Sequence, residues 1–241
     1  LESGKLKLLE NLRFEEGEDE CDIEYAKKLL KLVQADGGNN NLFYVNEAFA
    51  AHHKAASTTV LPTLLPHHAA GLRFAEEVRV LREVRENPKR PLVVIIGGGK
   101  FEDKGPAIEA MSKIADYVLI GCKIASELPQ LPTAVGKNVH GASLTDNELD
   151  ISEETIEKWK PIIKDAKMIV WNGPLGKIEE EQYSKGTKEI AEAIISSGAE
   201  SIIGGGDTVG ILGRLGLLGE FSFISTGGGA MLEFLSKGTL P

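Results

Sequence analysis

The chain has 241 residues, of which 42% are hydrophobic and 26% charged, so it is long enough for one large domain or two small ones. Its formal net charge of -9 at pH 7 repels a polyphosphate backbone, which argues against nucleic acid as a partner. Two distant cysteines, Cys21 and Cys122, do not form a disulfide framework, and no apolar run is long enough to span a bilayer. The composition therefore favours a cytoplasmic globular protein without a membrane partner.

The first ninety residues contain short, separate elements. An apolar run predicts a strand at residues 6–9, and the spacing of apolar residues predicts an amphipathic helix at residues 22–33. A second strand is expected at residues 42–45, after a turn cluster at residues 37–41. A charged helix over residues 71–87 stops before Pro88, as helices usually do before proline. Because it separates two strand-rich regions, we interpret residues 71–89 as an interdomain helix.

From Arg90 onward, apolar strands alternate with helices. The strands are predicted at residues 92–96, 117–120, 168–171, 201–203 and 221–225, each bounded by glycine and followed by a helical stretch. This alternation predicts an α/β fold with a doubly wound, mostly parallel, Rossmann-like sheet. Ligands bind such sheets beyond the carboxyl ends of the strands, which is where the glycines lie.

Four glycine-rich segments follow these strands, at residues 97–104, 171–176, 204–208 and 225–230. Glycine allows the backbone to approach a ligand closely, and the following helix directs free N–H groups and a positive dipole end at the same point, which suits phosphate. Tight turns alone explain any one segment but explain three triple-glycine turns poorly. The chain has neither a Walker-type G-x-x-x-x-G-K-[ST] loop nor a G-x-G-x-x-G fingerprint, which argues against P-loop and dinucleotide-binding proteins.

Charged side chains accompany the glycines. Lys100 and Lys104 are four residues apart beside a strand end, where both could reach one anionic group or could simply be solvated. Asp207 follows three glycines at a helix start, where it could cap the helix, hold magnesium on a nucleotide phosphate, or do both. Glu179 alone would be interpreted as a surface residue.

Six segments, at residues 8–14, 44–49, 97–104, 171–176, 204–208 and 225–230, together resemble phosphoglycerate kinase, in the order of that family. The resemblance implies a two-lobed, hinged enzyme that moves a phosphoryl group reversibly from 1,3-bisphosphoglycerate to ADP in glycolysis. One lobe would bind the acidic triose, including 3-phosphoglycerate, and the other would bind ADP or ATP with Mg²⁺. Catalysis of this kind is mainly positioning and neutralisation of charge.

The resemblance assigns roles to individual residues. Lys104 matches the family lysine that meets the nucleotide and the transferring phosphates, and Lys100 matches its partner, which stabilises charge in the transition state. Asp207 matches the magnesium-associated aspartate, Thr208 its phosphate-contacting neighbour, and Glu179 the acidic residue that bonds the ribose hydroxyls. The other matches are backbone loops that face the phosphates or line the nucleotide cleft, namely Gly121, Asn172, Gly173, Gly204, Gly205, Gly206, Gly227, Gly228 and Gly229.

The substrate lobe departs from the family pattern more than the nucleotide lobe does. Arg13 and His53 match residues of the basic patch, whereas Lys54 replaces an arginine and Ala56 a histidine. The family's opening and closing segments are not matched, so we expect residues 1–70 to be a remnant of the N-terminal substrate lobe, and residues 90–241 to be the nucleotide-binding lobe. Such a remnant would expose apolar surface, which predicts poor solubility or self-association of a chain otherwise expected to be a monomer.

Two further departures concern the nucleotide lobe. Cys122 and Lys123 replace two glycines after Gly121, where small residues let a flat base lie against the backbone, so they bear on base affinity and specificity. Around residues 128–132 the chain is shorter than the family pattern, which predicts the loss of a helix and most of a strand from one wall of the cleft.

Three alternatives remain at this point. The first is a nucleotide-binding fragment or divergent homologue without phosphotransfer activity, the second a dinucleotide-dependent oxidoreductase, and the third a structural α/β domain. The histidines, including the adjacent pairs at residues 52–53 and 67–68, are interpreted as solvated or structural, because neighbours on a strand or helix point to different sides.

Overall fold

The computed structural model describes residues 8–34, 42–99, 104–128 and 136–241. The chain divides into two compact units. Unit 1 runs up to Glu76, and unit 2 runs from Glu77 to Leu240. This division falls inside the helix that the sequence predicts over residues 71–87.

Unit 1 has a small core beneath short elements. Helices α1 (Glu16–Asp19) and α2 (Ile23–Gln34) are followed by strands β1 (Phe43–Asn46) and β2 (His67–Ala70), which pair in parallel. A π-helical turn (Ala56–Val60) and a 3₁₀ turn (Leu61–Leu64) connect the two strands. The buried cluster packs the inner face of α2 against the π-helical turn and consists of Tyr25, Ala26, Leu29 and Ala56.

The prediction of helix α2 is confirmed, but that of a strand at residues 6–9 is not. Leu8 and Leu9 lie in irregular structure, and residues 6 and 7 lie outside the described residues, as does the turn cluster at residues 37–41. Leu8 is 96% exposed and pairs with no strand among the described residues. An apolar run does not form a stable strand without a partner strand to pair with.

Unit 2 contains a six-stranded sheet in the order β5-β4-β3-β6-β7-β8, in which every neighbouring pair is parallel. This confirms the predicted doubly wound, mostly parallel α/β fold. The predicted strand at residues 221–225 is shorter than expected, since only Phe223 and Ile224 pair with the sheet. The strands are β3 (Leu92–Ile96), β4 (Tyr117–Ile120), β5 (Val139–Gly141), β6 (Met168–Asn172), β7 (Glu200–Gly204) and β8 (Phe223–Ile224).

Helices cover both faces of this sheet, which is why every residue of β3 and β6 is buried. Trp171, Val93 and Ile95 point to the face covered by α6 and α7, while α4 and α9 pack against each other. The helices are α3 (Leu72–Glu86), α4 (Gly105–Ser112), α5 (Ile124–Glu127), α6 (Glu153–Asp165), α7 (Lys185–Ser197), α8 (Gly206–Arg214) and α9 (Gly228–Lys237).

The buried face of α3 includes a carboxyl group among apolar side chains. Leu72 is 88% exposed, whereas the carboxyl-bearing Glu77 is fully buried with Val80, Leu81 and Val84. The Glu77 carboxylate accepts hydrogen bonds from the backbone N–H and the hydroxyl of Thr226, at 2.7 and 2.9 Å. A buried carboxylate is tolerated there because those donors replace water.

Candidate functional site

The carboxyl ends of the parallel strands lie at one edge of the sheet in unit 2, and the glycine-rich segments follow them there. We call this the glycine-rich edge, and its described residues are 97–99 after β3, 172–176 after β6, 204–208 around the end of β7, and 225–229 after β8. Since the strands are parallel neighbours, segments that are distant in sequence meet at this edge.

Hydrogen bonds join these segments directly. The Gly97 N–H donates to the Asn172 carbonyl at 2.9 Å, and the Asn172 side-chain amide donates to the Gly228 carbonyl at 3.1 Å. The Gly173 N–H donates to the buried hydroxyl of Thr208 at 2.9 Å. Asn172 and Thr208 therefore hold four strand ends together.

Glycine is required where these segments cross. A Cβ atom on Gly97 would lie 2.1 Å from the Pro174 carbonyl oxygen, and one on Gly228 would lie 2.6 Å from the Gly205 Cα. Real Cβ atoms do not approach backbone so closely, so a larger residue would force the loops apart. The glycines thus allow close approach between the loops, in addition to any approach to a ligand.

Three helices begin at this edge. Helices α4, α8 and α9 start at Gly105, Gly206 and Gly228, and each has at least eight residues. The first N–H groups of a helix have no intrahelical acceptor, and they carry the positive end of the helix dipole. Their convergence makes the edge attractive to an anion such as phosphate.

Lys104 lies at the start of α4 and reaches across the edge. Its half-buried ammonium group donates to the Gly97 carbonyl and lies 3.4 Å from the Asn172 side-chain oxygen. The lysine therefore places a positive charge between the ends of β3 and β6. Lys100, the second lysine predicted here, lies outside the described residues.

Asp207 lies in the first turn of α8, and the N-cap position belongs to Gly205. The interpretation of Asp207 as an N-cap is therefore wrong. Its side chain is exposed and forms no hydrogen bond or ion pair with the described residues, which leaves its oxygens open to a cation. Mg²⁺ commonly binds one or two carboxylates together with phosphate oxygens, so this single acidic group fits a metal that a nucleotide would bring.

Gly121 and Glu179 lie beside the end of β6. A Cβ atom on Gly121 would lie 2.4 Å from the Leu175 side chain, so this glycine packs against the loop that follows β6. Glu179 is exposed on the continuation of that loop, where sequence alone could not separate a ligand contact from a solvated residue. Cys122, which stands where the family pattern has glycine, adopts a positive φ of 54°.

In unit 1, two of the predicted substrate residues share one cavity. Arg13 and His53 line a cavity of about 450 Å³, whereas Lys54 is exposed and is not part of that lining. Arg13 also forms an ion pair with Asp19 at 3.1 Å. Glu18, which no sequence pattern singled out, is 4% exposed, lines the same cavity and accepts hydrogen bonds from the N–H and hydroxyl of Ser57.

Clusters of potential metal ligands are rare in the described ranges. A group of three carboxylates whose oxygens lie within 4.8 Å of one another is formed by Glu153, Glu157 and Glu189. Lys160 and Lys185 form ion pairs with members of this group, so α6 and α7 already neutralise it. None of the helices in residues 8–34, 42–99, 104–128 and 136–241 is both long and apolar enough to cross a bilayer.

Comparison with known proteins gives the family. A family model described as phosphoglycerate kinase matches residues 1–141 and 133–238. The chain belongs to the phosphoglycerate kinase family. Its relatives carry the name of a phosphotransferase, and the predicted resemblance to this family is confirmed.

Relatives and solved structures in this family are longer than the chain. Phosphoglycerate kinase of Leptospira biflexa serovar Patoc is 35% identical over 289 aligned positions, which cover 100% of this chain and 71% of that protein. The phosphoglycerate kinase of Wigglesworthia glossinidia brevipalpis is 35% identical, with 97% and 68% covered. The structure of the Coxiella burnetii enzyme has a TM-score of 0.78 at 30% identity, covering 96% of this chain and 70% of that one. The enzyme from Pyrococcus horikoshii OT3 has a TM-score of 0.79 at 27% identity, covering 97% and 70%.

Proposed function

We propose that this chain catalyses the reversible transfer of a phosphoryl group from 1,3-bisphosphoglycerate to ADP, which gives 3-phosphoglycerate and ATP. The observation that carries the proposal is the meeting of four glycine-rich strand ends with Lys104 in a member of the phosphoglycerate kinase family. Backbone N–H groups and one lysine suit the terminal phosphates of a nucleotide better than they suit a neutral substrate.

Residues of the glycine-rich edge would bind ADP or ATP. In this proposal the phosphates lie against Gly204, Gly205, Gly206, Thr208 and the start of α8, and Asn172, Gly173 and Gly121 line the nucleotide cleft. Glu179 accepts hydrogen bonds from the ribose hydroxyls, which needs an exposed carboxylate such as this one.

Asp207 is the proposed holder of Mg²⁺. When bound, the ion would neutralise charge on the phosphate oxygens of the nucleotide. Asp207 contributes one carboxylate from the first turn of α8, next to the N–H groups that would face the same phosphates.

The chemical step needs positioning and charge rather than proton transfer. An oxygen of the ADP β-phosphate forms a bond to phosphorus as the bond from phosphorus to the acyl oxygen breaks, and the electron pair leaves with the carboxylate of 3-phosphoglycerate. Lys104, together with Lys100, would stabilise the charge on the transferring group. The backbone N–H groups of Gly227, Gly228 and Gly229 would donate to the same oxygens.

Unit 1 would contribute the residues that recognise the acidic triose. Arg13 and His53 are proposed to contact it from their shared cavity, and Lys54 to add a positive charge without the bidentate geometry of arginine. We propose that residues 1–70 belong to the substrate lobe, residues 71–89 to the interdomain helix and residues 90–241 to the nucleotide-binding lobe. A monomer acting in the cytoplasm is proposed with them.

A coupled assay separates this function from binding alone. The chain is incubated with 1,3-bisphosphoglycerate, ADP and Mg²⁺ while ATP formation is followed, and MgADP binding is measured in parallel by isothermal titration calorimetry. Turnover that vanishes with Lys104→Ala supports the kinase. Binding without turnover favours a nucleotide-binding homologue lacking phosphotransfer, and absence of both contradicts the proposal.

A further inference from the structure

The segment over residues 176–186, which ends in the first turn of α7, presents Glu179, and we call it the Glu179 loop. Its backbone is attached on one side to the turn before α6, since the Lys177 N–H donates to the Leu149 carbonyl at 2.8 Å. Two further attachments use side chains from outside the loop. These are the carboxylate of Asp150 and the guanidinium of Arg214.

Asp150 lies beside both ends of the Glu179 loop and is hydrogen-bonded to one of them. Its carboxylate is only 4% exposed and accepts from the N–H groups of Gly186, at 2.9 Å, and Ile151, at 2.8 Å. A Cβ atom on either Gly176 or Gly186 would lie 2.5 Å from the same carboxylate oxygen. Both ends of the loop therefore lie close to one buried acid, and Gly186 is bonded to it.

Arg214 fixes the middle of the loop. It is the last residue of α8, the helix that begins beside Asp207, and its side chain donates to the Ile178 carbonyl at 3.0 Å. Ile178 immediately precedes Glu179, so this bond sets the backbone from which the proposed ribose ligand projects. The arginine is exposed and forms no ion pair with the described residues, which argues against a role in balancing an acidic neighbour.

We infer that Asp150 and Arg214 are positioning residues, which hold the Glu179 loop so that Glu179 meets the ribose of the nucleotide. This inference rests on the proposed nucleotide-binding function of the glycine-rich edge. A ligand-contacting group is effective only when surrounding bonds fix its place, and small displacements weaken binding considerably. Neither residue needs to touch the nucleotide.

Titration calorimetry with MgADP tests the inference on the whole chain. Glu179→Gln should weaken binding about tenfold, because hydrogen bonds to a charged acceptor are strong. Arg214→Ala and Asp150→Asn should each weaken it about three- to tenfold. Arg214→Lys should recover part of the loss, because lysine also donates. Lys158→Ala removes an exposed charge from α6 and should leave the affinity unchanged.

Combining each change with Glu179→Gln separates positioning from general destabilisation. If the two residues act through Glu179, the double variants should bind MgADP no more weakly than Glu179→Gln alone. Additive losses, or single variants within about twofold of the unmodified chain, would overturn the inference while leaving nucleotide binding intact.

Other results are also decisive. Because Arg214 is exposed, the Arg214→Ala variant should fold, and it tests the inference even if Asp150→Asn does not fold. An unmodified chain that binds no MgADP would overturn the proposed function, and with it this inference.

Discussion

Single side chains decide how the glycine-rich edge is held. Asn172 bridges the ends of β6 and α9, Thr208 bridges β7 to β6, and Lys104 bridges the ends of β3 and β6. Each of these residues is polar and at least half-buried, so its hydrogen bonds are worth more than those of a solvated residue. The same atoms that hold the loops are therefore near the position proposed for the phosphates.

Lys104→Ala should abolish most turnover and leave the fold nearly intact. Loss of a preorganised charge that stabilises a transition state costs about 100-fold or more in kcat/KM. Loss of its hydrogen bonds costs about 1 kcal/mol, which lowers Tm by about 2–4 °C. The coupled assay and thermal unfolding measure the two effects. Lys113→Ala, on the exposed face at the end of α4, is the matched control and should keep wild-type turnover. Unchanged turnover in Lys104→Ala would remove this lysine from the proposed mechanism.

Asp150 should give the stability a distinctive pH dependence. Burial raises the pKa of the Asp150 carboxyl above its usual 3.8, while hydrogen bonds from Gly186 and Ile151 oppose the shift. The nearby charge of Lys185 also lowers the pKa, and that of Glu189 raises it. The folded state therefore binds this proton more tightly than the unfolded state does. The contribution to the free energy of unfolding falls as pH rises from about 4 through the folded-state pKa.

Urea unfolding at a series of pH values from about 4 to 7 measures this slope. Asp150→Asn cannot titrate and should remove the contribution. Asp146→Asn, on the exposed turn before Asp150, has the same change in net charge and serves as the control. Equal slopes for Asp150→Asn and the unmodified chain would contradict the prediction.

At the scale of elements, the glycine-rich edge depends on strands that end, and helices that begin, at the same level of the sheet. The central strands β3, β6 and β7 pair in parallel along their full lengths, so their last residues, Ile96, Asn172 and Gly204, are neighbours. Helices α8 and α9 then start from adjacent strand ends. Glycine at those starts lets the two elements approach without collision.

Glycines at two helix positions should respond oppositely to alanine. Gly228→Ala would place a Cβ atom 2.6 Å from the Gly205 Cα, so we expect a loss of about 1–3 kcal/mol from overpacking and weaker MgADP binding. Gly210→Ala, within α8, meets nothing within 4 Å and should stabilise the chain by about 0.5–1 kcal/mol. Chemical denaturation measures both. A stabilising Gly228→Ala would show that the two loops can separate at little cost.

At the scale of the whole molecule, the two units have unequal cores. Unit 2 buries both faces of a six-stranded sheet, with Trp171 and Leu119 on one face and Val94 and Val170 on the other. Unit 1 buries a small cluster around Tyr25 and Leu29, and its two-stranded parallel sheet is largely exposed, with Phe43 at 66%. Parallel sheets usually need cover on both faces, so this one contributes little stability.

Unit 1 should therefore open more readily than unit 2. Amide hydrogen exchange followed by mass spectrometry should show rapid exchange in α2 and β1, and slow exchange in β3 and β6. Thermal unfolding followed by the same method should lose protection in unit 1 at a lower temperature. Equal protection in the two units would contradict the prediction. Light scattering on the same samples would test whether the exposed apolar residues lead to self-association.

From the sequence alone, five of the six strands described in unit 2 and the family could be predicted, but strand β5 could not. Short continuous apolar runs such as residues 92–96 and 168–171 indicate buried strands between helices, and the glycine segments mark the ends of those strands. Those signals are local, so they predict the elements without any knowledge of tertiary contacts. The shared cavity of Arg13 and His53, by contrast, rests on residues far apart in the chain, which spacing cannot bring together.

The polar residues that fix the loops of the candidate site could be identified only from the tertiary structure. Glu77 meets Thr226 across 149 positions, and Asp150 and Arg214 meet the Glu179 loop across 36 positions each. The sequence analysis did not single out Glu77, because an apolar pattern carries no information about a distant hydrogen-bond donor. The physical reason is that burial of apolar residues follows repeats within an element. The partner of a buried charge, however, is chosen by whichever segment folding brings beside it.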